Sequence, residues 1–455
     1  MPEAIARAGR GLESHGRRDL NRHSARAALA GALCGLAVSA AAAAEANLGN
    51  VCDRLYSPSW KPVIGKVVSS VPSAPRPAKG LPLRDAALGT CVVRVTEHDR
   101  DPPKGFARND YSRRQAFNAN STRMLIIAQD GAWHLYDADT FAQLETLSEL
   151  KGDAEPQWHP TDPNILYFMP RNGVGMKLFD LNLRTGIQQV TADFGERLRA
   201  RWPSAAAAST KSEGSPSADG RFWCFIAFDE KWKTLGLFTW DATGDRIVGM
   251  RDLPAAQAPD HVSMSPSGKY CVSNAHEAPG VLAYTQDLKS VAKVAAIGEH
   301  SDIALDANGD DTYVSIDYEA RGGPVYMVNL RTGVRTDLFP TYLEGTTTAV
   351  HFSGKAYANP GWVVMTTYDE QVVRGHPERQ WLHGKVFALS LKPDPAIVPL
   401  VHHRSVYAKY WTAPVASTNR ELTRVLFNSN WDSGSPTDVD AYMVVLPAGA
   451  LTRKP

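Results

Sequence analysis

Four histidines outline the chemistry this chain is equipped to do. His261, His300 and His351 each stand at the start of a strand-like apolar run, and His276 stands at the end of one. A neutral imidazole accepts a proton near pH 7 or ligates a transition metal, so several brought together serve acid–base or metal chemistry. Asp302, two residues beyond His300, is the type of group that orients a neighbouring ring. Arg171, Lys231 and Arg321 are cations at turn positions and suit an anionic group. Tyr318, Tyr368, Trp411 and Trp431 suit stacking on a sugar ring, with packing between sheets as the plainer role of each. Gln115, Gln157, His159 and Tyr410 occupy further strand starts.

Only a repeating architecture brings residues this far apart in sequence to one place. One phrase recurs seven times: a short strand, a polar turn containing Pro, Asp, Asn or Gly, a β-rich strand, then another apolar strand. It begins at Gln115, Pro156, Ser215, His261, His300, Val350 and Trp411. The copies are spaced roughly 40 to 60 residues apart, the period of a four-stranded propeller blade with variable loops. The fold expected is therefore all-β, a seven-bladed β-propeller. The seventh copy has three evident strands, and Cys91-Val-Val-Arg-Val-Thr-Glu-His is expected to complete it as an outer strand, closing the ring from the N-terminal side. Serines in the Ser215-Pro-Ser-Ala-Asp-Gly and Ser265-Pro-Ser-Gly turns read as structural. In a propeller the first strand of each blade lines the channel, so His261, His276, His300 and His351 are expected on one face in three consecutive blades.

The chain has 455 residues, 49 basic and 48 acidic, with 43% apolar and 21% charged. That balance excludes a chain disordered throughout and a strongly basic nucleic-acid binder. Six arginines between Arg7 and Arg26 precede an Ala-rich apolar run to Ala44, the pattern of an export signal cleaved after Ala44 or Ala46. Arg17-Arg18 loosely matches a twin-arginine signal, and a general secretory route fits equally. A periplasmic or secreted protein without stable membrane insertion is expected. The organisation expected is a signal at 1–46, a surface extension at 47–83, the propeller at 84–448 and a tail at 449–455. Four cysteines then remain, and proximity favours Cys52 with Cys91 and Cys224 with Cys271, buried free thiols being the alternative.

The phrases Gln157-Trp-His-Pro-Thr-Asp-Pro-Asn, Ser265-Pro-Ser-Gly-Lys and Arg424-Val-Leu-Phe-Asn-Ser-Asn-Trp resemble the repeats of the Tol-system periplasmic propeller and, more closely, of oligogalacturonate lyase. Ulvan lyases use similar chemistry on the same architecture, with histidine and tyrosine. The resemblance implies an acidic, uronate-containing glycan as substrate, β-elimination as the reaction, and a divalent metal such as Mn or Ca; a monomer is expected. It places the base at His261, a metal ligand at His300 and the acid at Tyr318, with Arg171, Lys231 or Arg321 neutralising the carboxylate. His276, Tyr368, Trp411 and Trp431 would complete the substrate site. Oligogalacturonate lyases also carry a His-Pro-His-Pro stretch that opens the last blade and binds metal. Here the corresponding stretch reads Thr412-Ala-Pro-Val-Ala, so His276 or His351 would have to substitute. The alternative is a non-catalytic periplasmic propeller binding a protein or cell-envelope ligand. A propeller-capped α/β hydrolase is not expected, because no G-x-S-x-G follows a strand.

Overall fold

The computed structural model describes residues 48–71, 73–101, 105–150, 153–211, 214–372 and 379–451. The expected export signal lies outside the described residues.

The second strands of the blades are nearly continuous apolar runs, because each is covered on both faces by neighbouring sheets. Phe222–Asp229 is buried at six of its eight positions, and Asp311–Ile316 at all six. Outer strands such as Ile187–Asp193 are largely exposed and carry polar residues. Five sheets have four antiparallel strands each, and these are blades two to six in chain order. Their inner strands are Gln157–Trp158, Ala205–Ser209, His261–Met264, Ser301–Leu305 and Thr346–Ser353. Blades one and seven are joined into one sheet by a parallel bridge between Ala107 and Asp440.

Hydrogen bonds link every neighbouring pair around the circle. Trp158 Nε1 donates to Ala116 O, Gln157 Nε2 to Gly214 O and Met264 N to Ser215 O. Asn274 Nδ2 donates to Ser301 Oγ, Gly354 N to Asp302 Oδ2 and Ala416 N to Thr366 Oγ1. Asn109 N donates to Asn428 Oδ1, which brings blade one back to blade seven.

Cys91–Arg94 pairs antiparallel with Asp440–Val445, in the register Cys91↔Val445 to Arg94↔Tyr442, and so supplies the outer strand of blade seven. A further strand, Leu83–Arg84, pairs with Cys91 and Val92, so the N-terminal side contributes a hairpin and not a single strand. The residues before it form a strap over blades six and seven. Gly65 N donates to Ile397 O, Trp431 Nε1 to Ala74 O, and Arg76 pairs with Asp438. Leu48 and Cys52 of the helix Leu48–Asp53 are buried in the core, so the segment is packed more deeply than a surface extension.

Cys52 is bonded to Cys91, and Cys224 of blade three to Cys271 of blade four. In the Ser265-Pro-Ser-Gly turn, Gly268 has φ +75°, which a side chain would strain. Ser265 Oγ there donates to Asp311 of the next blade at 2.8 Å. No helix among the described residues is long and apolar enough to cross a membrane.

Candidate functional site

The inner strand of blade one does not run straight. Ala107 and Arg108 pair with Ala128 and Ile127, and pairing resumes only at Phe117 with Met124. Between these points the chain makes an excursion that carries Tyr111 and Arg113. It is pinned at its base by Asn109, which gives Nδ2–H to Val415 O at 2.7 Å, and by Arg114, whose Nε meets Asp110 at 2.7 Å. Ser417 and Ser215 donate to the carbonyls of Arg114 and Arg113, fixing the excursion from blades seven and three.

The excursion meets the histidines at the axis. Arg113 Nη1 lies 3.0 Å from His261 Nδ1, and its guanidinium lies 5.2 Å from the Tyr111 ring centre. Tyr111 presents its edge to His351 at 5.3 Å. His351 stacks on Tyr368 at 4.7 Å and lies 4.2 Å from His300, whose Nδ1 is 3.4 Å from Tyr368 Oη. His261, His351, Tyr111, Arg113 and Tyr368 are buried, and His300 is half-buried. Tyr111, Arg113, His261 and His300 of this cluster line a cleft of about 340 Å³ open to solvent, whose walls also include Asp260, His276, Glu299 and Tyr410, with His351 and Tyr368 behind them.

Burial and one cation dominate the electrostatics. Loss of water and the charge of Arg113 push His300 down to about 4. His261 falls well below the usual imidazole range through burial and then Arg113, and His351 through burial, then His300 and Arg113. All three are therefore neutral at pH 7. Burial raises Glu299, with His276 opposing the shift. His351 Nδ1 is buried without a hydrogen-bond partner. A carboxylate entering this cleft would find a buried guanidinium, uncharged rings able to take a proton, and tyrosine hydroxyls able to give one.

The structure gathers His261, His300, His351 and Tyr368, with His276 and Tyr410 on the cleft wall. It does not gather the rest. Tyr318 stands beside the cluster without lining the cleft: its hydroxyl accepts Val350 N–H at 3.1 Å, and burial raises its pKa. Arg171, Lys231 and Arg321 are exposed and do not line the cleft. Lys231 belongs to a tight turn held by Asp229, and so stays with its own hairpin. Trp431 is buried under the strap, stacked on Tyr442 at 4.9 Å. Trp411 is 42% exposed next to Tyr410, with its ring stacked on Phe106 at 5.4 Å and Arg108 beside it at 4.7 Å. Asp302 does not orient a ring, because Lys355 Nζ, 3.0 Å away and likewise buried, takes its carboxylate. The insertion at Arg374–Trp381 lies largely outside the described residues, and Trp381 packs against Phe339 and Phe387.

Histidine-held metal does not fit the mouth. Among the described residues, one trio of metal-ligand types has donor atoms all within 4.8 Å, namely His98, Asp438 and Asp440, and none of the axial histidines belongs to it. A cation there would also stand against Arg113. The sequence reading missed Tyr111, Arg113 and Glu299; the one available signal for the first two was the Tyr111-Ser-Arg-Arg segment placed just ahead of the first repeat.

No family model matches the chain, and no curated protein matches it. Among solved structures, it is similar to an oligogalacturonate lyase in complex with manganese, 15% identical over 81% of this chain and 96% of that one, with a TM-score of 0.55. It is also similar to oligogalacturonate lyase from Vibrio parahaemolyticus, 16% identical over 82% and 100%, with a TM-score of 0.56. TolB from Acinetobacter baumannii, 17% identical over 63% and 62%, has a TM-score of 0.32, too low to carry an argument. At these identities the likeness is one of fold, that of a β-propeller resembling oligogalacturonate lyase.

Proposed function

We propose that the axial cleft binds an acidic, uronate-containing glycan and cleaves it by β-elimination, in a periplasmic or secreted protein. One observation carries this reading: buried Arg113 lies 3.0 Å from His261 at the channel mouth, and its charge helps to hold His261, His300 and His351 neutral. Arg113 neutralises the uronate carboxylate and the enolate that develops from it. His300 Nδ1 stands 3.4 Å from Tyr368 Oη, and in the tautomer that carries its hydrogen on Nδ1 the ring takes the proton beside the carboxylate on Nε2. That electron pair forms the carbon–carbon double bond as the glycosidic C–O bond breaks, and Tyr368 protonates the departing oxygen. His261 positions Arg113. The chain's donor set does not suit a metal here, so no step is routed through one.

A second reading, binding without cleavage, is favoured by the depression of His300 to about 4, which makes a weak base in the empty cleft. Carboxylate binding opposes that depression by offsetting the charge of Arg113. The deciding experiment mixes the protein with a panel of polyuronates and follows ultraviolet absorbance of unsaturated product, with and without chelator. Product that forms equally with chelator supports the metal-free lyase. Binding without product selects the second reading, and neither binding nor product overturns both.

A further inference from the structure

A second constellation lies away from the axis, where the strap crosses blade six. Ser69 Oγ is 2.8 Å from His402 Nε2, and His402 Nδ1 is 3.0 Å from Asp85 Oδ2. Asp85 is itself held by N–H bonds from Ala87 at 3.0 Å, Leu88 at 2.9 Å and His402 at 3.1 Å. His402 and Asp85 are buried, whereas Ser69 is half-buried between exposed Val68 and Ser70. Each atom has the role that acyl transfer needs: a hydroxyl on one ring nitrogen, and a fixed carboxylate on the other that sets the tautomer. Such a set is recognised by geometry and not by sequence, which is why the missing G-x-S-x-G does not exclude it.

His402 and Asp85, though not Ser69, also border a cavity of about 400 Å³ opening to solvent, with apolar walls from Leu83, Val92, Val401 and Trp431. Lys385, the cross-strand partner of His402, donates from Nζ to Val67 O at 2.8 Å and Trp381 O at 2.9 Å. Lys385 thereby pins the strap two residues before Ser69.

We propose that Ser69, His402 and Asp85 form a second catalytic site that hydrolyses carboxylic esters with a small apolar acyl group. Ser69 Oγ attacks the ester carbonyl while its proton passes to His402 Nε2. The C–O bond to the alcohol then breaks, and His402 returns the proton to the leaving oxygen. Water attacks the acyl-Ser69 ester, gives its proton to His402, and the acid departs as Ser69 regains a proton. The net reaction is ester plus water to acid plus alcohol. Asp85 stays ionised, its pKa lowered by its bonds to His402 against the opposing effect of burial.

The test is independent of the axial reading. The full chain is treated with a fluorophosphonate probe and mapped by mass spectrometry, and p-nitrophenyl acetate and butyrate turnover is compared with that of Ser69→Ala. The expected result is a covalent adduct on Ser69 and at least a hundredfold loss of turnover in the variant, whose circular dichroism matches the parent. An unlabelled Ser69, or turnover unchanged in Ser69→Ala, overturns the proposal and leaves the trio as a latch for the strap. His402→Gln adds a second check where it folds: it should abolish the adduct while Ser69 remains present.

Discussion

The axial mouth and the seam under the strap both concentrate ionisable side chains, yet they treat charge in opposite ways. In the seam, buried carboxylates and cations pair directly with one another. Asp440, fully buried, takes Arg94 at 2.8 Å and His98 at 3.1 Å, Arg76 meets Asp438, and Lys79 meets Asp101 at 2.7 Å. The bond to Asp440 raises His98. At the mouth, imidazoles are pushed toward neutrality around a buried guanidinium. The seam is an assembled contact that fastens the N-terminal side to blade seven. The mouth surrounds Arg113 with rings held neutral, beside a cleft open to solvent.

Arg113→Ala should break the contrast most sharply. Polyuronate binding, measured by calorimetry, is expected to weaken by roughly 100-fold or more, because a buried charge contact is worth several kcal/mol. Binding that survives would move the anion site elsewhere. On the seam side, Asp440→Asn leaves Arg94 and His98 facing a neutral group, and denaturant unfolding should register a loss of about 3 kcal/mol. Calorimetric affinity at the mouth should be unchanged by that substitution.

Acid separates the two regions by sign. The axial rings have folded-state values below the ordinary 6.5, so their contribution to stability is full above that pH and is lost as pH falls toward about 4 for His300. His98 is raised, so its contribution is full below the ordinary value and is lost as pH rises through its folded-state value. Thermal unfolding from pH 7 to 4.5 should therefore show a falling Tm in the parent, and His351→Phe should flatten that fall. Trp411→Ala is expected to have the smallest effect, weakening long oligouronates by about three- to tenfold, as for loss of one aromatic contact, with shorter ones unaffected.

The blades were legible in sequence because their second strands are unbroken apolar runs and their turns carry Ser-Pro-Ser-Gly or Ser-Ala-Asp-Gly phrases that only a hairpin accommodates. The placement of His261, His300 and His351 followed from that frame, since each lies at the axial end of an inner strand. Arg113 was not legible. It sits where blade one departs from the repeat, and the departure is fixed by long-range bonds to Asn428, Val415 and Ser417 that no local pattern announces. Lys231 and Arg321 misled for the converse reason: their offsets from the strands were regular, but a loop's course depends on its own turn, as the Asp229 turn shows for Lys231. Asp302 was assigned to a ring because Lys355, 53 residues later, gives no sign in sequence of meeting it.

The hairpin that completes blade seven joins segments made far apart in time. Arg94 is synthesised 346 residues before Asp440, the residue it grips. Until the last sheet emerges, that early strand has an unsatisfied edge and the first blade has no neighbour on one side. Closure of blade seven thus waits on the last sheet, and a chain stalled short of it would leave the Cys91–Arg94 edge open to any other strand it encountered.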